Sequence, residues 1–103
     1  MENLIIRRYN ITHANLMKEP IELPKGARFL AVVIDDNLGY DVYVHVLVNS
    51  NTKQTEKYDF RLYWIGRRVM EIEIQKGFTY LESASIKTFS DEILSVHVFY
   101  RKM

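Results

Sequence analysis

The chain contains no cysteine, which excludes a disulfide scaffold, a thiolate metal site and a cysteine nucleophile together, and fits a reducing compartment. Charge of one sign is also missing: 14 Lys and Arg against 13 Asp and Glu leave a formal net charge of +1, so no net field selects nucleic acid or an anionic membrane as the partner. Long apolar runs are absent, and no window approaches the ~20 residues of a membrane span. The run Leu4-Ile5-Ile6 is too short for a signal peptide and has Arg7 and Arg8 after it rather than before it. These absences lead us to expect a cytoplasmic protein made without processing. Glycine and proline are scarce, at four and two, and each glycine is isolated, so there is no phosphate-cradling loop.

What the sequence does have is alternation. In the stretch 58–68, Tyr58, Phe60, Leu62 and Trp64 share one face of a strand while Asp59, Arg61, Tyr63 and Ile65 share the other. Residues 28–35 form a second strand, because 29–34 is an unbroken apolar run with three β-branched residues ahead of the turn Asp36-Asn37-Leu38-Gly39. Its hairpin partner, 40–48, sets Tyr40, Val42, Val44, Val46 and Val48 against Asp41, Tyr43, His45 and Leu47. Shorter strands are expected at 4–9, at an edge, and at 69–74. Another runs over 78–86, with little bulk around Ser83-Ala84-Ser85, and the last over 93–101, where Leu94, Val96, Val98 and Tyr100 oppose Ile93, Ser95, His97 and Phe99.

Between these strands, 10–18 fits either a single helical turn or a loop, since Ile11, Ala14 and Met17 have helical spacing. Pro20 and Pro24 frame an extended edge segment with Ile21 and Leu23 inward. Pro24 and Gly26 then fit the second and fourth positions of a type I turn beginning at Leu23. Residues 88–92 are a further turn. The expected fold is all-β, a small antiparallel sandwich, curled sheet or barrel with at most one short helical turn, forming a single β domain over 1–103. At this length the chain buries roughly 60–65% of the surface its unfolded form exposes.

Groupings with catalytic chemistry are hard to find. His13, His45 and His97 show no ligand spacing among themselves or with Asp35, Asp36 and Asp41, so no metal and no cofactor is expected. The Val-His-Val repeat around His45 and His97 has no fixed period and reads as chance in a valine-rich β protein. No serine sits in a Gly-x-Ser-x-Gly elbow. Asp35 and Asp36, adjacent at a strand end, face opposite ways, which does not suit paired acid and base work. The expectation is a protein that is not an enzyme.

A resemblance extends from Ile21 to the end of the chain, about four-fifths of it. Glu22-Leu23-Pro24-Lys25-Gly26-Ala27 leading into a strand, Tyr58-Asp59-Phe60-Arg61-Leu62-Tyr63, Tyr80-Leu81-Glu82-Ser83 and the closing Ser95-Val96-His97-Val98-Phe99 resemble a family of small bacteriophage-encoded proteins of unknown function. The chain departs from that pattern at Trp64-Ile65-Gly66-Arg67-Arg68, in place of a glycine-rich turn, and at Val96, in place of a tryptophan. The resemblance implies a phage origin, expression in a bacterial cell and the habits of accessory proteins that bind something of the host.

Two binding surfaces follow from the residues. Arg61, Tyr63, Arg67 and Arg68 place guanidinium groups beside a ring, the chemistry that holds phosphates and stacks bases, although pairing with Glu71 and Glu73 across a hairpin also accounts for these arginines. Tyr43, Leu47, Ile93 and Phe99 lie opposite faces that are already apolar, so either a second sheet or a second subunit should cover them, and a homo-oligomer is expected. The overall expectation is a non-enzymatic phage accessory protein that neutralises a host component. Its partner would be a host protein or a small phosphorylated ligand such as a nucleotide signal. The alternatives are a nucleic-acid-binding module and a virion-associated structural protein.

Overall fold

Alternating valines decide the architecture. Val42, Val44, Val46 and Val48 of one strand and Val96 and Val98 of another are all at most 1% exposed. Two sheets therefore have to face each other across these side chains, each burial contributing on the order of 1.5–3 kcal/mol. The computed structural model, which describes residues 3–16, 19–36, 39–65 and 76–103, shows that sandwich. Among the described residues its strands are seven: β1 (Leu4–Asn10), β2 (Ile21–Pro24), β3 (Arg28–Asp35), β4 (Asp41–Asn49), β5 (Thr55–Trp64), β6 (Thr79–Lys87) and β7 (Ile93–Lys102). They form a three-stranded sheet, β1-β4-β3, and a four-stranded sheet, β2-β5-β7-β6. Every neighbouring pair is antiparallel. Among the described residues there is no closed barrel and no helix. The strand expected at 69–74 lies outside the described residues.

Phe29 ties the layers together. Its ring meets Tyr58 edge-on at 5.5 Å, Phe60 at 5.9 Å and Tyr100 at 5.0 Å, so one β3 side chain of the first sheet is wedged among three rings of the second. Offset and edge-to-face rings of this kind add roughly 0.5–1.5 kcal/mol per pair beyond area burial. Tyr58, Phe60 and Leu62 are buried and Trp64 packs against the same core, as their shared parity on β5 predicts.

Where the sheets' free edges meet, β3 lies beside β6. Each of these strands has one extra residue, Leu30 in β3 and Leu81 in β6, at which its register against the neighbour shifts. Bulges bend a strand and steepen its twist. Past them, the Glu82 carboxylate accepts the Val32 backbone N–H at 2.9 Å, so one side-chain bond stands where a ladder would otherwise run. The small residues Ser83, Ala84 and Ser85 follow directly in β6.

Two local expectations change. The turn after β2 begins one residue later than the proline spacing suggests: the Ala27 N–H bonds to the Pro24 carbonyl at 3.1 Å, and Gly26 has φ +83°. That puts Lys25 and Gly26 in the central positions, the type II arrangement. A positive φ in the third position costs glycine nothing, so the glycine rather than the proline sets the register. Residues 12–16 make successive turns, with Ala14 bonding Ile11 at 3.0 Å and Leu16 bonding His13 at 2.9 Å, but no helix. The helical spacing still marks the inward residues, because Ile11 and Ala14 are buried.

The same segment reaches across to the second sheet. The Asn15 side-chain amide donates to the Leu62 carbonyl at 2.7 Å and accepts the Leu62 N–H at 2.8 Å. β2 covers β5 only from Thr55 to Tyr58. Beyond it, one asparagine supplies the pair of bonds that a strand neighbour would give.

Candidate functional site

The outer face of the four-stranded sheet carries the densest group of polar and aromatic side chains. Parity on β5 puts Asp59, Arg61 and Tyr63 there, and parity on β7 puts His97, Phe99 and Arg101 there. Register then sets Asp59 opposite Arg101, Arg61 opposite Phe99 and Tyr63 opposite His97. From β6, Tyr80 stands opposite Phe99 and Ser83 opposite His97.

The rings make a continuous group. Tyr63 meets Phe99 edge-on at 5.6 Å, Phe99 meets Tyr80 edge-on at 5.3 Å, and Tyr80 lies 5.8 Å from the His97 ring. The Tyr80 hydroxyl and His97 Nδ1 share a hydrogen bond of 3.1 Å. Tyr80 is 48% exposed, whereas Tyr63 is 8% exposed. Tyr63 was expected to present its ring to a ligand. It is instead packed beneath its neighbours, and Tyr80 is the ring that solvent reaches.

The charges beside these rings are arranged around one carboxylate. Asp59 accepts Arg101 Nη2 at 2.9 Å and has Arg61 Nη1 at 3.9 Å. Arg61 Nη1 also donates to the Phe60 carbonyl at 2.8 Å, and Arg101 Nη1 to the Lys76 carbonyl at 3.3 Å. Both guanidinium groups flank the ring of Phe78, at 5.2 and 4.8 Å from its centroid. Cation–π contacts of this kind contribute roughly 0.5–1 kcal/mol each near a surface. Arg61 is thus a structural neighbour of Asp59 and Phe78. Arg67, Arg68, Glu71 and Glu73 lie outside the described residues, so the basic turn and its pairing with glutamates do too.

The four residues expected at an interface separate into two groups. Tyr43 and Leu47 are on the outer face of the three-stranded sheet, where the Arg8 guanidinium lies 3.9 Å from the Tyr43 ring centroid and also 3.6 Å from Asp35. Phe99 belongs to the ring group on the opposite side of the molecule, and Ile93, 70% exposed, begins β7 on that same side. The two faces are separated by the core. His45 and His97 likewise point outward from different sheets and do not meet. Among the described residues no three His, Cys, Asp or Glu side chains come together as a metal would need.

At the end of β5 and β7 a second charged group forms. Glu56 accepts Lys102 Nζ at 2.9 Å and the Tyr58 hydroxyl at 3.2 Å. Its carboxyl is held below the usual glutamate range, chiefly by the Lys102 hydrogen bond. The same bond raises Lys102, while burial first and the nearby Glu56 charge second raise Tyr58.

Phe78, Tyr80, Asp59 and Arg101 are members of the outer face that sequence reasoning did not assign to a site, and His97 was weighed there only as a metal ligand. Spacing alone places Asp59 beside Arg61 and His97 beside Phe99. Bringing those pairs together requires the β5–β7 register, and bringing in Tyr80 requires the bulge at Leu81.

Neither a curated protein nor a solved structure matches the chain. The model of one family, described as a domain of unknown function (DUF7352), matches residues 2–103, and the chain belongs to that family.

Proposed function

We propose that this is a non-enzymatic binding protein, a phage accessory factor acting in the cytoplasm of a bacterial host, which neutralises a host protein by docking the outer face of its four-stranded sheet. The observation that supports the reading is the ring group itself. Tyr63, Phe99, Tyr80 and His97 support one another on a rigid sheet with Tyr80 exposed, and the group of Asp59, Arg61 and Arg101 borders them. Pre-positioned aromatic side chains beside arginines are the usual energetic centre of a protein interface, because little rotamer freedom is left to lose on binding. The resemblance to small phage proteins motivates the host as the source of the partner.

The test is photo-crosslinking in a bacterial host from a benzophenone amino acid placed at Tyr80, with the same probe at Leu16 as control. One discrete adduct from position 80, whose purified partner binds the protein and loses at least roughly tenfold in affinity with Tyr80→Ala, supports the reading. Identical adducts from both positions would overturn it.

The nucleic-acid reading has one observation in its favour, since rings on an open sheet face are also how single strands are stacked. It predicts binding to an oligothymidylate that falls steeply with added salt. Salt-independent binding, or none at low salt, removes it. The small phosphorylated ligand expected at Arg61 loses support on this face, because Arg61 and Arg101 are both drawn to Asp59.

A further inference from the structure

An anion needs donors that nothing else holds, and the clearest set lies on the other broad side of the molecule, on the outer face of the three-stranded sheet. Between the Pro24–Ala27 turn and the loop after β4, at the end of the three-stranded sheet's outer face, is a cleft of ≈ 250 Å³. Lys25 and Arg28 flank it, Asn49 and Thr52 line its side, and Leu4 and Leu47 give it an apolar surface. The backbone explains the grouping. The type II turn puts Lys25 in a central, outward position, and β-register sets Arg28 directly opposite Leu47 and Leu4 directly opposite Asn49.

The polar groups here point to one sign of charge. Among the described residues Lys25 and Arg28 have no ion-pair partner and no carboxylate lines the cleft. Lys25 contributes to the field at Glu56, but Glu56 makes its close contact with Lys102. Asn49 Oδ1 is occupied by the Asn51 N–H at 3.0 Å, which leaves its amide nitrogen as a donor. The Thr52 hydroxyl completes the set. Two full positive charges and two neutral donors above leucine side chains differ from the Asp59 group, where one carboxylate sits between two arginines. They differ also from the larger depression beside β2, lined by Glu19, Pro20, Glu22 and Lys57, where two carboxylates oppose an anion.

We infer that this cleft is a binding site for a compact organic anion, a phosphate or carboxylate head held by Lys25 and Arg28 with a small apolar or aromatic body against Leu4 and Leu47. The volume lies just under the roughly 300–1,000 Å³ of ordinary ligand pockets, which limits the body to about the size of one ring. Arg28 supplies a fork that matches two oxygens at once, and Lys25 supplies a mobile point charge. The site is separate from the aromatic face and stands whether or not that face meets a protein.

The experiment is a titration of the isotopically labelled full chain, followed by amide NMR, with phenyl phosphate, benzoate, inorganic phosphate and phenol. Phenyl phosphate or benzoate is expected to shift the amides of residues 25–28 and 47–52 saturably, at least roughly tenfold more tightly than inorganic phosphate or phenol. A response to phenyl phosphate alone assigns a phosphate head, and a response to benzoate alone a carboxylate. The double substitution Lys25→Gln with Arg28→Gln should weaken that binding by about tenfold or more while leaving the rest of the spectrum in place. Leu47→Ala should weaken phenyl phosphate and leave inorganic phosphate unchanged. Equal affinity for phenol, shifts that map to Asp59, Arg61 and Arg101 instead, or no saturable shift with either organic anion would each overturn the inference, and the wild-type titration reads all three without a variant.

Discussion

A single asparagine closes part of a sheet edge. Because Asn15 satisfies both backbone groups of Leu62, Asn15→Ala leaves a part-buried N–H and C=O without their partner, a loss of about 1–3 kcal/mol. Urea denaturation should read that loss, and the Leu62 amide should exchange faster while amides of β4 stay protected. Glu56 acts through charge instead. A carboxyl whose folded value is depressed stabilises the fold above its unfolded value, ordinarily 4.5, and the contribution is lost as pH falls through the folded value. Lys102 and Tyr58 are raised, so what they contribute is present below their ordinary values of 10.5 and 10.0 and is lost as pH rises through the folded ones. Glu56→Gln should therefore flatten the acid limb of the stability curve below about pH 4.5 and also flatten the alkaline limb, chiefly because Lys102 loses the partner that raises it, while Tyr58, raised first by burial, loses only the smaller part due to the Glu56 charge. Thermal melts from pH 3 to 11, compared with wild type, check both limbs; an unchanged acid limb would show that the fold does not hold the Glu56 carboxyl below its unfolded value.

At the scale of elements, the seam between β3 and β6 and the exposed edges behave differently. Glu82→Ala removes the one bond from β6 to the Val32 N–H, and a charge-assisted bond of this type contributes roughly 1.5–3 kcal/mol. Val32 should lose exchange protection, Phe60 should not, and Glu82→Gln should recover part of the stability. The edge strand β1 is guarded by Arg7, which register sets opposite the buried Val46, so a charge lies on the core-side parity of an open edge. Inward charges on edges oppose strand addition. Arg7→Val should raise the apparent mass in light scattering as concentration rises, and wild type should not respond through this edge. Alternation made the valine faces, the edge character of β1 and the inward set Tyr58, Phe60 and Leu62 legible, since a period of two needs no knowledge of partners. Register was not legible. It depends on the bulges at Leu30 and Leu81 and on a turn whose phase Gly26 sets, and the packing of Tyr63 against Phe99 needs the β5–β7 register, which alternation within one strand does not supply.

The whole molecule is flattened, 48 × 32 × 20 Å, with a different outer face on each broad side. The self-association expected from the sequence would have to use one of these faces, because Arg7 guards β1 and prolines bound β2. A stable dimer mass in light scattering that drops with Tyr43→Ala would place it on the three-stranded side, and a monomer at every concentration would remove it. The chain visits the sheets in an order that carries a further meaning. It lays β1 in one sheet and β2 in the other, then returns for β3 and β4 before committing β5, β6 and β7 to the second. During synthesis, β1 therefore has to wait for β4 and β2 for β5, several seconds at the roughly 5–20 residues per second of a ribosome. The charge in β1 and the prolines around β2 protect these two segments on the nascent chain, before any sheet exists for them to edge.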